Sequence, residues 1–239
     1  MKRLCINIDH IATLREARGV IEPDPAHSVA ICEMAGASGI VCHLREDRRH
    51  INDRDLRLLR EIINTKLDLE MAATEEMKKI ALETLPELIT LVPEKRQELT
   101  TEGGLDVIKQ KEFLKAYVPV FQDKGIDVSL FIDPIKDQID AAAELGVNFI
   151  EIHTGEYANA RGHNEVEHQI KRIRTAAEHA SKLGLKVNAG HGVNYQNAHQ
   201  LLAIKEIEEM SIGHSILSRA VFVGLERAVK DMVEIFNRY

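Results

Sequence analysis

Eight short apolar runs, rich in β-branched residues, recur along the chain and alternate with segments that have the spacing of amphipathic helices. The runs fall at residues 4–9, 39–44, 67–72, 88–93, 127–133, 149–154, 185–190 and 209–214. Strands that alternate with helices, without consecutive hairpins, predict a parallel sheet with right-handed crossover connections. This alternation constrains the fold more than any other feature of the sequence.

Eight strand–helix units in 239 residues match the size of a (β/α)8 TIM barrel. We predict an α/β fold of this kind, with residues 1–239 forming a single domain. A doubly wound open sheet is the alternative, but it would need a glycine-rich turn after the first strand. The chain reads NIDHIATLREARG there, which contains no such turn.

Several of the intervening segments carry helix-end signals. Asp24 followed by Pro25 predicts one helix start, and Asn52 or Asp53 predicts another. Segments 139–146 and 178–184 each end in the glycine that is common just past a helix C-terminus, and 225–236 has an apolar stripe at helical spacing. Residues 155–168 have neither feature, so we expect a long polar loop there.

Composition argues against several classes of protein. There is no apolar run of about 18 residues, so no membrane span is expected, and Asp9 interrupts the N-terminal segment too early for a signal peptide. The net charge of −7 argues against nucleic-acid binding. Three cysteines without paired spacing indicate reduced thiols in a cytoplasmic protein.

Polar side chains end nearly every predicted strand. In a parallel barrel the active site lies at the C-terminal ends of the strands, so these side chains should meet at one mouth. The charged segment HLREDRRH, residues 43–50, is therefore interpreted as a wall of that site; a solvated surface run is the alternative. The strand-end residues are Asn7, Asp9, His10, His43, Arg45, Glu70, Glu94, Lys95, Arg96, Asp133, Glu151, His153, His191 and His214.

Glycines follow the last two predicted strands, in NAGHGVN and SIGHSI. Gly190, Gly192 and Gly213 would let backbone amides approach a ligand, and the loops after strands 7 and 8 form the usual phosphate site of this fold. Arg18 and Arg45 could add side-chain donors. Tight turns without a ligand are the alternative interpretation of these glycines.

Acid–base catalysis needs groups that titrate near neutrality, and His43, His191 and His214 do so by default. Glu70 lies in the otherwise apolar run LDLEMA, where burial would raise its pKa and suit it to proton transfer. Pairing of Glu70 with an arginine across the barrel is the alternative. A metal site is disfavoured, because no strand carries His-x-His and the histidines are interleaved with cationic residues.

The segment PEKRQELTTEGG, residues 93–104, is long, polar and ends in two glycines. Such a composition suits a lid with a flexible hinge, from which Thr100 could reach a bound ligand. An ordinary surface loop is the alternative.

Seven motifs together resemble the pyridoxine 5'-phosphate synthase family. The resemblance runs from the first strand to the final helix, and its long ungapped motifs are more specific than any glycine pattern. The motifs are NIDHIATLREARG (7–19), HLREDRRHI (43–51), LEMAATEEM (69–77), LVPEKRQELTTEGG (91–104), FIEIHTGEYA (149–158), LKVNAGHG (185–192) and IGHSI (212–216).

The resemblance implies an enzyme that condenses 1-deoxy-D-xylulose 5-phosphate with 3-amino-2-oxopropyl phosphate to pyridoxine 5'-phosphate, inorganic phosphate and water. It implies no metal or organic cofactor, a lid after strand 4, and an octamer built from dimers. By position, His43 would be a general base, Glu70 a second acid–base group, His191 the proton donor and Glu151 a transition-state stabiliser. The implied substrate-binding positions are Asn7, Arg18, Gly192, Gly213 and His214 for the amino-ketone phosphate, and Asp9, His10, Arg45, His50 and Thr100 for the deoxyxylulose phosphate.

Two other functions remain open from sequence. A barrel isomerase or aldolase that acts on one sugar phosphate predicts a single phosphate site. A non-catalytic binding protein predicts loss of some of His43, Glu70 and His191, yet all three are present. Arg18 lies far enough past the first strand that it could serve a neighbouring subunit.

Overall fold

Residues 2–94 and 103–239 are described by the computed structural model. Within them, eight parallel strands close into a barrel in chain order, and the last strand pairs with the first. The predicted (β/α)8 barrel is therefore confirmed. The strands are Arg3–Asn7 (β1), Gly39–His43 (β2), Leu67–Met71 (β3), Leu88–Leu91 (β4), Asp127–Ile132 (β5), Phe149–His153 (β6), Lys186–Gly190 (β7) and Ile207–Ile212 (β8).

Helices connect the strands and cover the outside of the barrel. In the described residues, the connections after β1 and β6 carry two helices each, and two more follow β8. The helices are Asp9–Glu16 (α1), Ala26–Met34 (α2), Asp53–Ile62 (α3), Glu75–Thr84 (α4), Val107–Gln122 (α5), Lys136–Glu144 (α6), Gly155–Asn159 (α7), His163–Lys182 (α8), Ala198–Leu202 (α9), His214–Val223 (α10) and Leu225–Phe236 (α11).

The two predicted helix starts are confirmed by their capping contacts. The Asp24 carboxylate accepts the backbone N–H of Ala26 at 3.0 Å, at the start of α2. At the start of α3, Asn52 and Asp55 form a reciprocal capping box, with both side chain–backbone hydrogen bonds at 3.1 Å. Each cap satisfies a backbone N–H that has no partner within its own helix.

Three predicted boundaries differ from the structure. β1 ends at Asn7, so Asp9 and His10 belong to α1, and β8 ends at Ile212, so His214 begins α10. Residues 155–168 are not a loop, because α7 and the first turns of α8 occupy them, separated at Gly162 with φ of 80°. Helix α7 spans only five residues, too few to show a periodic apolar pattern.

The apolar core lies between the barrel wall and the helices, whereas the barrel interior is polar. Leu67, Leu69 and Met71 are fully buried among apolar residues of the core, while Asp68 and Glu70 alternate with them along β3. The side chain of Asn7 on β1 reaches Glu70 on β3 past the intervening β2, so both point into the barrel. Ionisable groups therefore occupy the space that branched aliphatic side chains usually fill in this fold.

The three cysteines are free, as predicted, and the structure shows that all three are buried. In the described part of the chain, no helix has the length and apolar character needed to cross a membrane.

Candidate active site

Asn7 and Asp9 connect three strands at the mouth of the barrel. The Asn7 Nδ2 donates to Asp9 Oδ2 at 2.9 Å and to Glu70 Oε2 at 3.3 Å. The other carboxylate oxygen of Asp9 accepts the backbone N–H of His43 at 2.8 Å. The ends of β1, β2 and β3 are thereby joined by one hydrogen-bond network.

His43, the last residue of β2, is buried and pairs with Glu94, which follows β4. The His43 Nε2 lies 2.9 Å from Glu94 Oε1, and the second Glu94 oxygen accepts the backbone N–H of Glu46 at 3.1 Å. Burial raises the pKa of Glu94, but the hydrogen bond and charge of His43 bring it below its ordinary value. A carboxylate that accepts the Nε2 proton leaves Nδ1 as the basic nitrogen of His43. This pair has the arrangement of an oriented general base.

Two further carboxyl groups, the partly buried Glu70 and the buried Glu151, lie on β3 and β6. Burial, followed by the charges of Glu151 and Asp9, raises the pKa of Glu70 well above its ordinary range. Burial, followed by the charges of Asp68 and Glu209, raises the pKa of Glu151 to about 8. The predicted rise for Glu70 is confirmed in direction, and among the described residues Glu70 accepts a hydrogen bond from Asn7 and pairs with no arginine. Both carboxyls can hold a proton at neutral pH.

A second polar layer lies deeper in the barrel. The Thr90 hydroxyl donates to Asp68 Oδ1 at 2.9 Å, Lys66 pairs with Glu209, and Asn188 Nδ2 donates to Glu209 Oε1 at 3.4 Å. Burial raises the pKa of Asp68 to about 7. The carboxyl groups therefore share one low-dielectric interior, where mutual repulsion favours the protonated form of some of them.

The rim at β8 and α10 has the features expected of a phosphate site. A Cβ on Gly213 would lie 2.9 Å from the Asn7 carbonyl oxygen, so a larger residue does not fit between β8 and β1. Gly213 directly precedes α10, and the N-terminus of a helix attracts an anion. The ring centroids of His10 and His214 lie 5.0 Å apart at this rim, and Gly192 has a left-handed backbone with φ of 76°.

His191 follows β7 and is partly buried. Burial, followed by the charge of His153, lowers the pKa of His191 to about 4. The two ring centroids lie 5.1 Å apart. His191 is therefore neutral near pH 7 in the ligand-free protein.

The segment HLREDRRH has an inner and an outer side. His43 and Arg45 are buried, and the His50 ring lies 5.9 Å from the His43 ring. Burial lowers the pKa of His50. Arg48 instead pairs with Glu76 of α4 on the outer side. The positions of His43, Arg45 and His50 therefore agree with a polar wall. The position of Arg48 agrees with the alternative, a solvated surface run.

Two predicted binding residues do not join this cluster. Arg18 lies in an exposed turn after α1, and its side chain makes no hydrogen bond or ion pair with any residue in the described ranges. Thr100 lies outside the described residues, as do Lys95 and Arg96. The predicted lid therefore stays a prediction.

In the part of the chain that the structure describes, one group of side chains could hold a metal ion. Asp9, His43 and His50 offer ligand atoms that lie within 4.8 Å of one another. The charge of Arg45 acts on the His50 ring, and a fixed positive charge disfavours a cation nearby. The expectation of a metal-independent reaction stays a prediction.

Two contacts between strand ends were not predicted from the sequence. One joins His43 to Glu94. The other is the contact between Asp133 after β5 and His153 at the end of β6, where Nδ1 lies 2.9 Å from Oδ1. The sequence contained a signal for both contacts, because each of the four residues ends a predicted strand. The pairing itself was not visible in the sequence, because the partners are 51 residues apart in one contact and 20 residues apart in the other.

Residues 4–238 match the family model described as pyridoxal phosphate biosynthesis protein PdxJ. The chain belongs to this family. It is 59% identical over 235 residues to the pyridoxine 5'-phosphate synthase of Geotalea daltonii, and this alignment covers 98% of each protein. It is 56% identical over 235 residues to the pyridoxine 5'-phosphate synthase of Chloroherpeton thalassium, covering 98% of this chain and all of that protein.

Solved structures with little sequence similarity share the fold. The tryptophan synthase A-subunit of Pyrococcus furiosus superimposes with a TM-score of 0.64 at 10% identity, covering 98% of both chains. Tryptophan synthase of Mycobacterium tuberculosis gives a TM-score of 0.64 at 11% identity, covering 98% of this chain and 92% of that one. At such identity the likeness concerns the barrel alone.

Proposed function

We propose that the protein is a pyridoxine 5'-phosphate synthase, which condenses 1-deoxy-D-xylulose 5-phosphate with 3-amino-2-oxopropyl phosphate. The family match over residues 4–238 is the observation that carries this proposal. The site chemistry supports it, because joining an amine to a ketone, losing water and phosphate, and closing a ring is a series of proton transfers. Several acid–base groups around one cavity suit such a series.

The proposed catalytic roles come from the family resemblance, and the hydrogen bonds and protonation states of the site support them. His43, with Nε2 bound to Glu94, uses Nδ1 as a general base toward substrate. Glu70 begins protonated because desolvation and the neighbouring carboxylates raise its pKa, so it donates a proton to a departing hydroxyl and then accepts one in a later step. Glu151 stabilises charge that develops in the transition state. His191 begins neutral, so it takes up a proton in one step and donates it in another.

The two phosphate groups are proposed to bind at different parts of the rim. The N-terminus of α10 supports a phosphate site for the amino-ketone substrate, held by Asn7, Arg18, Gly192, Gly213 and His214. The buried guanidinium of Arg45 supports a second site, for the deoxyxylulose phosphate, with Asp9, His10, His50 and Thr100. Two phosphate sites would distinguish this function from a barrel isomerase or aldolase with one sugar phosphate.

We also propose that residues 1–239 form one domain, and that the enzyme acts in the cytoplasm as an octamer built from dimers, without metal, organic cofactor or nucleic acid. Exposed apolar side chains support self-association, because large exposed apolar groups commonly mark interaction sites. Ile21 is 85% exposed after α1, and Phe222 is 87% exposed on α10. Arg18 lies close to Ile21 in sequence, so a subunit packed on this surface could receive Arg18 at its own site.

The test is a coupled assay of the purified protein with EDTA and both phosphorylated substrates. Pyridoxine 5'-phosphate and inorganic phosphate should appear in matched amounts, and His43→Ala and Glu70→Gln should each lose this activity. His179→Ala, a change on the outer helix α8, is the control and should retain it. Product that needs an added divalent metal would overturn the metal-free mechanism. No product, with one substrate still bound, would favour the single-substrate barrel enzyme.

A further inference from the structure

His153 and Asp133 form an ion-pair-type contact beside His191. The His153 side chain is 5% exposed, and its Nδ1 lies 2.9 Å from Asp133 Oδ1. A carboxylate at this distance accepts the Nδ1 proton and stabilises positive charge on the ring. The orientation of the His153 ring is therefore set by β5, the neighbouring strand.

The other ring nitrogen of His153 has no partner in the structure described. Its Nε2 is buried, and no side-chain or backbone group in residues 2–94 and 103–239 bonds to it. A Cβ on Gly155 would lie 2.5 Å from this Nε2 and 3.2 Å from the Cδ2 of His191. Glycine at position 155 thus leaves the space into which both rings fit.

The end of β6 also holds the backbone of His191. The Thr154 hydroxyl contacts the carbonyl oxygens of Gly190 and His191, at 2.7 and 2.6 Å. His191 has φ of 77°, a left-handed conformation that is unfavourable for a residue with a side chain. Residues 153–155 therefore restrain His191 at both its main chain and its ring.

His153 and His191 lie close enough for a charge on one ring to affect the other. The ring centroids lie 5.1 Å apart with an angle of 63° between the planes, so two positive charges would repel strongly. Asp133 contacts only His153 of the two. Within residues 2–94 and 103–239, the charged groups that act near the pair include Arg172 of α8, which acts on Asp133, and the buried Glu151 beside Gly190.

We propose that His153, oriented by Asp133, is a positioning residue for His191: it fixes the His191 ring and disfavours its protonation until substrate binds. The proposal deepens the proposed function, on which its catalytic consequence rests. The lowered pKa of His191, attributed to burial and then to His153, supports it. A neutral His191 is the form that can take up a proton early in the reaction and deliver it later.

The test removes the titrating ring of His153 in two ways. His153→Gln keeps an N–H donor for Asp133, and His153→Phe keeps an aromatic ring of similar shape. His179→Gln is the matched control, because His179 makes a similar contact with Asp140 on the outer helices. The pKa of His191 is measured without substrate from the pH dependence of hydrogen–deuterium exchange at histidine Cε1. Mass spectrometry with peptide fragmentation separates His191 from His199.

Burial remains in both variants, so the pKa of His191 should rise only part of the way from about 4 toward 6.5, by on the order of one pH unit. The acid limb of the kcat–pH profile should move in the same direction, with little change in KM. An unchanged His191 titration in both variants, or an equal shift in His179→Gln, would overturn the proposal. The titration needs no substrate, so a wild-type protein that forms no product would refute the proposed function without affecting this readout.

Discussion

The Nε2 of His43 lies 2.9 Å from the Oε1 of Glu94, across the barrel mouth from β2 to the end of β4. If this contact orients the base, Glu94→Gln should lower kcat about tenfold to a hundredfold with little effect on KM. Steady-state kinetics with both substrates measures the effects on kcat and on KM separately. Glu46→Gln is the control, because only the backbone of Glu46 contacts Glu94. Equal kcat values for Glu94→Gln and the wild type would exclude an orienting role.

Burial of the carboxyls predicts a stability that depends on pH in a definite direction. The pKa values of Asp68 and Glu151 are raised to about 7 and about 8, and that of Glu70 is raised well above its ordinary value of 4.5. The lowered pKa values of His10, His50 and His191 act in the opposite direction up to about pH 6.5, where unfolded histidines lose their protons. Above pH 6.5 the native state therefore binds more protons than the unfolded state. Stability should fall as the pH rises from there through 8. Urea denaturation at several pH values tests the slope, and a stability that increases over this range would contradict it.

Glu70→Gln should uncouple stability from activity. The amide keeps an oxygen for the Asn7 donor but cannot ionise, so the variant should be more stable than the wild type at pH 8. The difference should shrink toward pH 4, where both states of the wild type hold the proton. Product formation should be lost. A variant less stable than the wild type at pH 8 would show that Glu70 is ionised and well solvated in the fold.

Gly190→Ala should displace Glu151. A Cβ at position 190 would lie 2.0 Å from Glu151 Oε1, so the carboxyl group must move. We expect kcat to fall at least about tenfold, because a catalytic group moved by about 1 Å loses much of its effect. Gly146→Ala is the control: φ there is 71° and the space is open, so stability should fall while kcat stays unchanged. Normal kcat in Gly190→Ala would argue against a role for Glu151.

Asp55→Asn should destabilise the barrel strongly. Asp55 accepts two hydrogen bonds from Arg15, at 2.8 and 2.7 Å, and its side chain is fully buried. Arg15 keeps an ion pair with the exposed Glu16 but loses its buried, two-point partner, which should lower the free energy of unfolding by about 3–5 kcal/mol. Lys136→Ala breaks an exposed helical pair with Asp140 and should lower it by less than about 1 kcal/mol. Chemical denaturation of both variants checks the contrast, and equal losses would contradict the burial argument.

Local patterns were sufficient to predict where most elements lie. The cap at Asn52 and the eight apolar runs depend on neighbours a few residues away, so they are visible without the fold. The end of β8 was predicted too late in the chain. Polar residues at the end of a strand look the same in a sequence as polar residues in the first turn of the next helix. The five-residue helix α7 was missed for a related reason, since it is too short to show periodicity.

The sequence by itself determined the strand–helix alternation that favours a parallel barrel, and therefore which polar residues gather at one mouth. It also placed Glu70 in an apolar run, from which a raised pKa follows. Only the tertiary structure decided the partners: Glu94 for His43, Asp133 for His153, and the shared interior of Glu70, Glu151 and Asp68. Pairing and desolvation depend on distances across the barrel, between residues far apart in the chain. Such distances are set by closure of the sheet and not by any local pattern.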